Sequence, residues 1–481
     1  MVITREVFGE SKHVEFKAEL PKRHEKFLKD VIAFANTSGG KTIIGIEDGT
    51  GEVVGLGDQN PFKLSDAISN MISDSCTPQI NMEITPKTLN GETVLEIEVF
   101  PGRFRPYFIS SIGKERSSYI RVNGTSRPAD ERKLKELELE GQKISYDTMK
   151  EIGVDYNEEA TTALMENMYQ SALNACKTED ERSHVYPLSK QKLEDFGVLC
   201  KEGKNYKPTH AFTLLTNPLD RNIKIQCALF KGTERDEFID KKEFRGAIQQ
   251  QVEDAYQFVL RHINQSAVIE GLHRHDAYEL PTQSIREIIA NACLHRSYLD
   301  PAAVQISIFD DRLEVDSPGM LYDGLNVTDA LAGKSKCRNT AIAEAFQYMK
   351  IIEGWGTGLP RLFRQCREMN LPEPKFEEFG DGIKVTVYRA NGTEVGTNGT
   401  KVGTNGTKAG TNGNDAGIIE DIENTIIELI DQNPKVTQKK LSEKLNIPER
   451  TLKRIMTEMQ EKHEIERVGS NRGGYWKIIK E

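Results

Sequence analysis

Apolar residues in the first 130 positions follow two rhythms. "KTIIGIED" (41–48) and "TVLEIEVF" (93–100) are short β-rich runs that predict strands. "HEKFLKDVIAFANTSGG" (24–40) spaces its apolar residues three and four apart and closes on two glycines, the pattern of an amphipathic helix and its stop. Residues 131–204 are charged and helical, and are expected to form a connector. From about residue 205, β runs such as "NIKIQCALFKG" precede a long helix, "EFRGAIQQQVEDAYQFVLRHI". A third α/β piece covers about 281–390. The fold class predicted is α/β (α+β) and multidomain.

The rhythm breaks at "GTEVGTNGTKVGTNGTKAGTNGND" (392–415), a seven-residue repeat of GTNGTKx. It has no apolar pair per repeat, and Gly, Thr and Asn favour turns and flexible chain, so 391–416 is expected to be a linker rather than a coiled coil. Beyond it, 417–481 reads as an amphipathic run ended by Pro434, then "VTQKKLSEKLNI" with Thr437 as N-cap, then "PERTLKRIMTEMQEKHEI" with Pro448 in a first helical turn. "IERVGSNRGGYWKII" follows as strand, Gly-rich turn, strand. Three helices and a hairpin is the order of a winged helix-turn-helix. Arg450, Lys453 and Arg454 would face the major groove from the recognition helix, and Arg467 and Arg472 would meet phosphates from the wing. A protein-interaction role for this module stays open.

Composition narrows the setting. A 481-residue chain with 37% hydrophobic and 29% charged residues has room for about three globular domains. The net charge of −10 excludes a global basic field, so any nucleic-acid contact must use local patches. Seven cysteines, none in CxxC spacing, fit a reduced cytoplasmic interior better than a disulfide framework. No apolar run approaches ~18 residues and the first residues lack a signal-like core, so neither a membrane span nor a membrane partner is expected.

Two constellations carry chemistry. In "ESKHVEFK" (10–17), Glu10 and Glu15 are an odd number apart and would point to opposite faces of one straight strand. They converge only if the chain turns between them. A third acid, Asp48, follows the strand "TIIGI". Three such carboxylates could hold a divalent cation that activates water, and a solvated strand face is the alternative. "ESKHVEFK", "FANTSGGKTIIGIEDGTGEVVGL" and "RPYFISSIGKERSSYIRVNGTSRPAD" resemble the successive blocks of the Schlafen AlbA_2 domain over about 8–130, which implies such a domain over 1–130. That resemblance implies an acidic triad at Glu10, Glu15 and Asp48 that cuts RNA with Mg²⁺ or Mn²⁺, and phosphate contacts at Lys17, Arg121 and Arg127. It also implies a groove closed by two related lobes; one lobe is present here, so a homo-oligomer is expected. Without the metal, Glu15 and Lys17 would steady a strand edge and the domain would only bind nucleic acid.

In "SIREIIANACLHRSY", Glu287, Asn291 and His295 are four apart and share a helix face, while Ile288, Ile289, Ala292 and Leu294 give the helix a broad apolar surface. "FDDRLEVDSPGML" reads as strand then turn, with Asp316 and Gly319, and "EGWGTGLPRL" brings Gly354, Gly356 and Gly358 to a helix start, where backbone N–H groups can cradle phosphates. In this order the three segments are similar to the C-terminal region of predicted RecG-like regulators, a divergent branch of the gyrase, Hsp90, histidine-kinase and MutL ATPases; the resemblance covers about 205–390 and implies that this stretch is one ATPase-like domain. The resemblance implies Mg²⁺ held by Asn291 on the phosphates of ATP, Glu287 orienting or deprotonating a water, Asp316 accepting from the adenine amino group, and the glycines folding over the phosphates. The expected DxGxG is "DSPGM" here, with Pro318 stiffening the turn. The expectation is an ATP-responsive, DNA-binding transcriptional regulator. The alternatives are a metal-dependent endoribonuclease acting on tRNA or other RNA, in stress or phage defence, and a non-catalytic scaffold.

Overall fold

A computed structural model describes residues 12–390 except 123, 217–222, 271–272 and 355, with only the backbone of 266–277 and the side chains elsewhere. Beyond 390 it describes 426, 429–430, 436, 440, 456, 459, 465–468 and 475–479, with only the backbone of 467–468 and 475. The chain divides into two compact units, Met1–Val395 and Gly396–Glu481.

The first unit opens with a four-stranded sheet in the order Val14–Lys17, Gly40–Ile44, Glu92–Val99, Met82–Leu89. The first pair is parallel, joined through the helix His24–Asn36, and the others are antiparallel. That helix buries Phe27, Val31, Ile32 and Phe34 against Ile44, Leu95 and Ile97. It stops where the Gly39 N–H bonds back to Phe34 O at 3.1 Å. Gly39 has φ +80°, and a Cβ there would lie 2.8 Å from Val99 O, so the glycine lets the chain turn straight into the next strand. A hairpin, Tyr119–Val122 with Thr125–Pro128, and the helix Glu131–Gln142 capped by Asp130 complete this part.

The second sheet has six strands in the order Phe238–Phe244, Ile225–Phe230, Val304–Ile308, Arg312–Pro318, Gly382–Tyr388, Lys375–Phe379. Only Ile225–Phe230 beside Val304–Ile308 is parallel. Ile306, Leu313, Val315, Val385 and Val387 point to one face, where the helices Ile248–His262 and Thr282–His295 cover them. The long helix expected from residue 243 begins at Ile248 instead. Glu243 and Phe244 close the edge strand, and Gly246, at φ +104°, separates strand from helix. The helical stretch after residue 142 is not a free-standing spacer: Leu164, Met168, Leu193 and Val198 share one core with Ile289 and Phe346.

Buried ion pairs tie the two sheets together. Arg105 donates to Glu140 at 2.8 Å and to Thr37 O at 2.7 Å, and Arg338 lies 3.7 Å from the same Glu140. Glu136 meets Lys133 and Ser297, and Lys12 pairs with Glu378 on the last strand of the second sheet. In the second unit, the antiparallel hairpin Ile465–Val468 with Tyr475–Ile478 shares a core with Ile426, Ile430, Val436, Met456 and Met459, into which Trp476 packs. Among the described residues no helix is long and apolar enough to cross a membrane, and the seven cysteines are free thiols.

Candidate functional site

The helix Thr282–His295 buries Ile285, Ile288, Ile289 and Leu294 in the core. With those positions fixed, Glu287 and Asn291, one turn apart, face a cavity of about 220 Å³. Gly319, Gly354, Gly356 and Gly358 line the same cavity, so six of the residues marked in the sequence come together. Gly358 starts the helix Gly358–Glu368 in close contact with the pair: a Cβ there would lie 2.4 Å from Glu287 Oε1 and 3.3 Å from Asn291 Nδ2. Gly356, at φ +66°, presses on the next loop, its missing Cβ 2.3 Å from Gly333 O. The side-chain amide of Asn291 makes no hydrogen bond to another described residue, which leaves it available to a ligand.

Glu287 is only 9% exposed. Burial raises its pKa above the usual carboxylate range; the guanidinium of Arg361, 3.2 Å away, opposes that, and Glu353 adds to it. Arg361 also grips Glu353 through contacts of 3.0 and 2.5 Å, tying the glycine segment to the helix behind it. Arg361 was not marked in the sequence, nor were Lys334, Ser335 and Lys336, which line the cavity from the loop after residue 332.

Asp316 is a correction. Along the strand Arg312–Pro318, Val315 and Ser317 face the cavity, and the Ser317 hydroxyl donates to Ala292 O on the pocket helix. Side chains alternate in a strand, so Asp316 points to the opposite face of the sheet. There it pairs with Arg235 at 2.9 Å and Lys384 at 3.6 Å, and an adenine in the cavity is out of its reach.

The N-terminal site is a second cluster. Glu15 bonds Arg121 Nη1 at 2.9 Å and pairs with Lys17, and Lys17 lies 3.6 Å from Asp30. Arg121, 1% exposed, also donates to Lys12 O and Ser126 and lies over the Phe34 ring, 4.8 Å from its centroid. It is therefore an internal partner of Glu15, and burial withdraws it from the phosphate contact expected of it. Burial alone would lower the Lys17 pKa, but Glu15, Asp30 and Asp48 together raise it. Burial and the nearby Glu15 raise that of Asp30. Asp48 is exposed in the turn after the second strand, and Arg127 is exposed on the hairpin, bonded to Thr125. Glu10 lies outside the described residues, among which no group of three His, Cys, Asp or Glu is arranged to hold a metal ion. Asp30 and Ser126 are the members of this cluster that sequence spacing did not reveal.

In the second unit, Arg467 sits in the wing strand across from Trp476. Arg450, Lys453, Arg454 and Arg472, and the repeat of 391–416, lie outside the described residues.

Comparison with known proteins covers these parts in turn. Residues 10–130 match the family "Schlafen, AlbA_2", residues 302–387 "Putative ATP-dependent DNA helicase recG C-terminal", and residues 419–463 "Winged helix-turn-helix DNA-binding". Among solved structures, the DIP2311 protein from Corynebacterium diphtheriae is 19% identical over 99% of this chain and 92% of its own, with a TM-score of 0.41. The N-terminal domain of a putative ATP-dependent DNA helicase RecG-related protein from Nitrosomonas europaea is 19% identical over 25% of this chain and 84% of its own, with a TM-score of 0.19. No curated protein matches. The chain thus joins a Schlafen AlbA_2 domain, a domain of the putative RecG C-terminal type and a winged helix-turn-helix domain.

Proposed function

We propose that this protein is a DNA-binding transcriptional regulator whose state responds to ATP held in the cavity between Glu287 and the glycine segment. One observation carries the reading: Glu287 and Asn291, a helical turn apart, face a cavity lined by Gly358, in a chain that also carries a winged helix. The cavity, about 220 Å³, is somewhat below the ~300–1,000 Å³ of ordinary small-molecule sites. The phosphate end of a nucleotide fits the donor set, since the Asn291 amide makes no hydrogen bond to another described residue and the helix start at Gly358 lies directly against Glu287 and Asn291. The adenine end has no acceptor at Asp316 and must be recognised by other groups.

Asn291 would hold Mg²⁺, which supplies charge neutralisation on the phosphates. Glu287 would orient a water by accepting its proton, and Arg361 sets how readily it does so. Lys17 and Arg127 would contribute to nucleic-acid binding in the N-terminal domain. Arg450, Lys453, Arg454, Arg467 and Arg472 would do so in the winged helix, the helix reading the major groove and the wing meeting phosphates. In a homo-oligomer, nucleotide binding would change the spacing of paired winged helices on two half-sites. The test is DNA binding by the full chain and by a chain lacking 418–481, each with and without ATP and Mg²⁺. Salt-dependent binding that ATP shifts, and that the deletion abolishes, supports the reading. Unchanged binding after the deletion sinks it.

A second reading, a metal-dependent endoribonuclease, rests on the family match of residues 10–130 and on Glu15 and Asp30 meeting at Lys17. It requires RNA cutting with Mn²⁺ or Mg²⁺ that Glu15→Ala and Asp48→Ala abolish. Intact tRNA and single-stranded RNA in both metals would exclude it.

A further inference from the structure

We infer that Lys334 and Lys336 are the cationic contacts of the cavity and that its ligand is a polyphosphate. This rests on the nucleotide reading for the identity of the ligand, but not for the charge that it must carry. Of the residues lining the cavity, these two carry a full positive charge. His295 also lines it, but burial, with Arg338 nearby, pushes its pKa down to about 4, so it is neutral at physiological pH. The lining carboxylates are Glu287 and Glu353. A ligand with three or four negative charges cannot settle beside two carboxylates unless cations are supplied, and a metal on Asn291 would answer only part of that charge.

The loop is placed for this task. Gly356 and Gly333 meet so closely that a Cβ on Gly356 would lie 2.3 Å from Gly333 O and 3.4 Å from the Ser335 Cβ. The lysine loop therefore lies directly on the glycine segment that leads into the helix Gly358–Glu368. Both lysines can also be given up by their present partners. Lys334 pairs with Asp329 at 2.8 Å and Lys336 with Asp323 at 3.2 Å, and the two lysine side chains are 68% and 45% exposed. Ion pairs this exposed contribute little, so a phosphate outcompetes them. The nearby guanidinium groups are committed elsewhere. Arg361 is shared between Glu287 and Glu353, and Arg338 donates to His295 O and Met320 O.

The experiment is calorimetric titration of the full chain with ATP, adenosine and tripolyphosphate, in Mg²⁺, for wild type, Lys334→Gln, Lys336→Gln, the double glutamine variant and the double arginine variant. Each single glutamine is expected to weaken ATP by about tenfold, the order of one charge-assisted hydrogen bond, and the double variant by more. Adenosine affinity is expected to stay unchanged, and the double arginine variant to keep most of the affinity for ATP. Tripolyphosphate that binds wild type but not the double glutamine variant supports the assignment, even if ATP binds no better than tripolyphosphate. That last result would overturn the nucleotide reading alone. Wild-type protein that ignores tripolyphosphate overturns the lysine assignment whatever ATP does. So does equal weakening of adenosine and ATP in the double glutamine variant, because the damage would then be to the shape of the pocket.

Discussion

Replacing Arg121 by alanine tests whether this residue is built into the N-terminal domain or presented to nucleic acid. The change removes the hydrogen bond to Glu15, those to Lys12 O and Ser126, and the contact with the Phe34 ring. It leaves Glu15 and Asp30 with Lys17 as their remaining cation in the cluster. Deleting one partner of a buried ion pair costs about 3–5 kcal/mol, because the charges left behind stay desolvated. At ~1.36 kcal/mol per decade, that is roughly two to four decades in a local opening equilibrium. Hydrogen exchange on the full chain reads it directly. Amides of Val14–Lys17, Gly40–Ile44 and His24–Asn36 should exchange faster by about that factor, while Val304–Ile308 keeps its protection. Exchange at the wild-type rate, with weakened binding of RNA or DNA, would refute the reasoning and return Arg121 to the surface role.

Gly358→Ala should weaken nucleotide binding, because the new Cβ falls 2.4 Å from Glu287 Oε1 and must displace that carboxylate from the cavity wall; calorimetry checks the loss of binding and a thermal melt confirms that the chain still folds. Arg361→Gln removes the group that opposes the upward shift of Glu287, so any activity needing ionised Glu287 should move to higher pH, as a pH–rate profile or carboxyl NMR titration would show. Burial alone would raise the Glu136 pKa, but Lys133, Arg338 and the Ser297 hydroxyl bring it down to about 2 from an ordinary 4.5. A carboxylate with a depressed folded pKa stabilises fully above its unfolded value and loses that contribution as pH falls through the folded one. Glu136→Gln should therefore cost about 3 kcal/mol at pH 7 and close to nothing near pH 2, measured by urea unfolding across that range.

Much of the fold was legible because periodicity reports which face of an element is apolar. The Phe27, Val31, Phe34 stripe and the β runs around Ile44 and Ile97 meet in one core, as their spacing requires. Periodicity does not report what covers that face. Leu164 and Met168 therefore read as part of a charged connector until the structure shows them packed with Phe346 and Ile289. The premature start of the helix at residue 243 has a local cause. "EFRGAI" carries apolar residues that suit strand or helix alike, and the positive φ of Gly246 decides between them.

The candidate sites follow the same division. Glu287 and Asn291 were legible because helix geometry alone puts positions four apart on one face. Asp316 was legible too, against the resemblance. In "RLEVDSP" the apolar residues Leu313 and Val315 point inward, so period two sends Glu314 and Asp316 outward, where Arg235 and Lys384 meet them. Arg121 defeats the same test, because Ile120 and Val122 are buried along with it and no alternation remains to read. Its buried charge is met by Glu15 and Asp30, about a hundred residues earlier in the chain, and no local pattern encodes such a partnership. Lys334 and Lys336 pose the opposite problem. They stand in a polar loop with neither helical nor strand period, and solvated lysines look alike in sequence whether or not a cavity lies beneath them. Spacing therefore identifies site residues held on regular elements; those that close a site from loops, or anchor it by buried charge, become identifiable only when the packing is known.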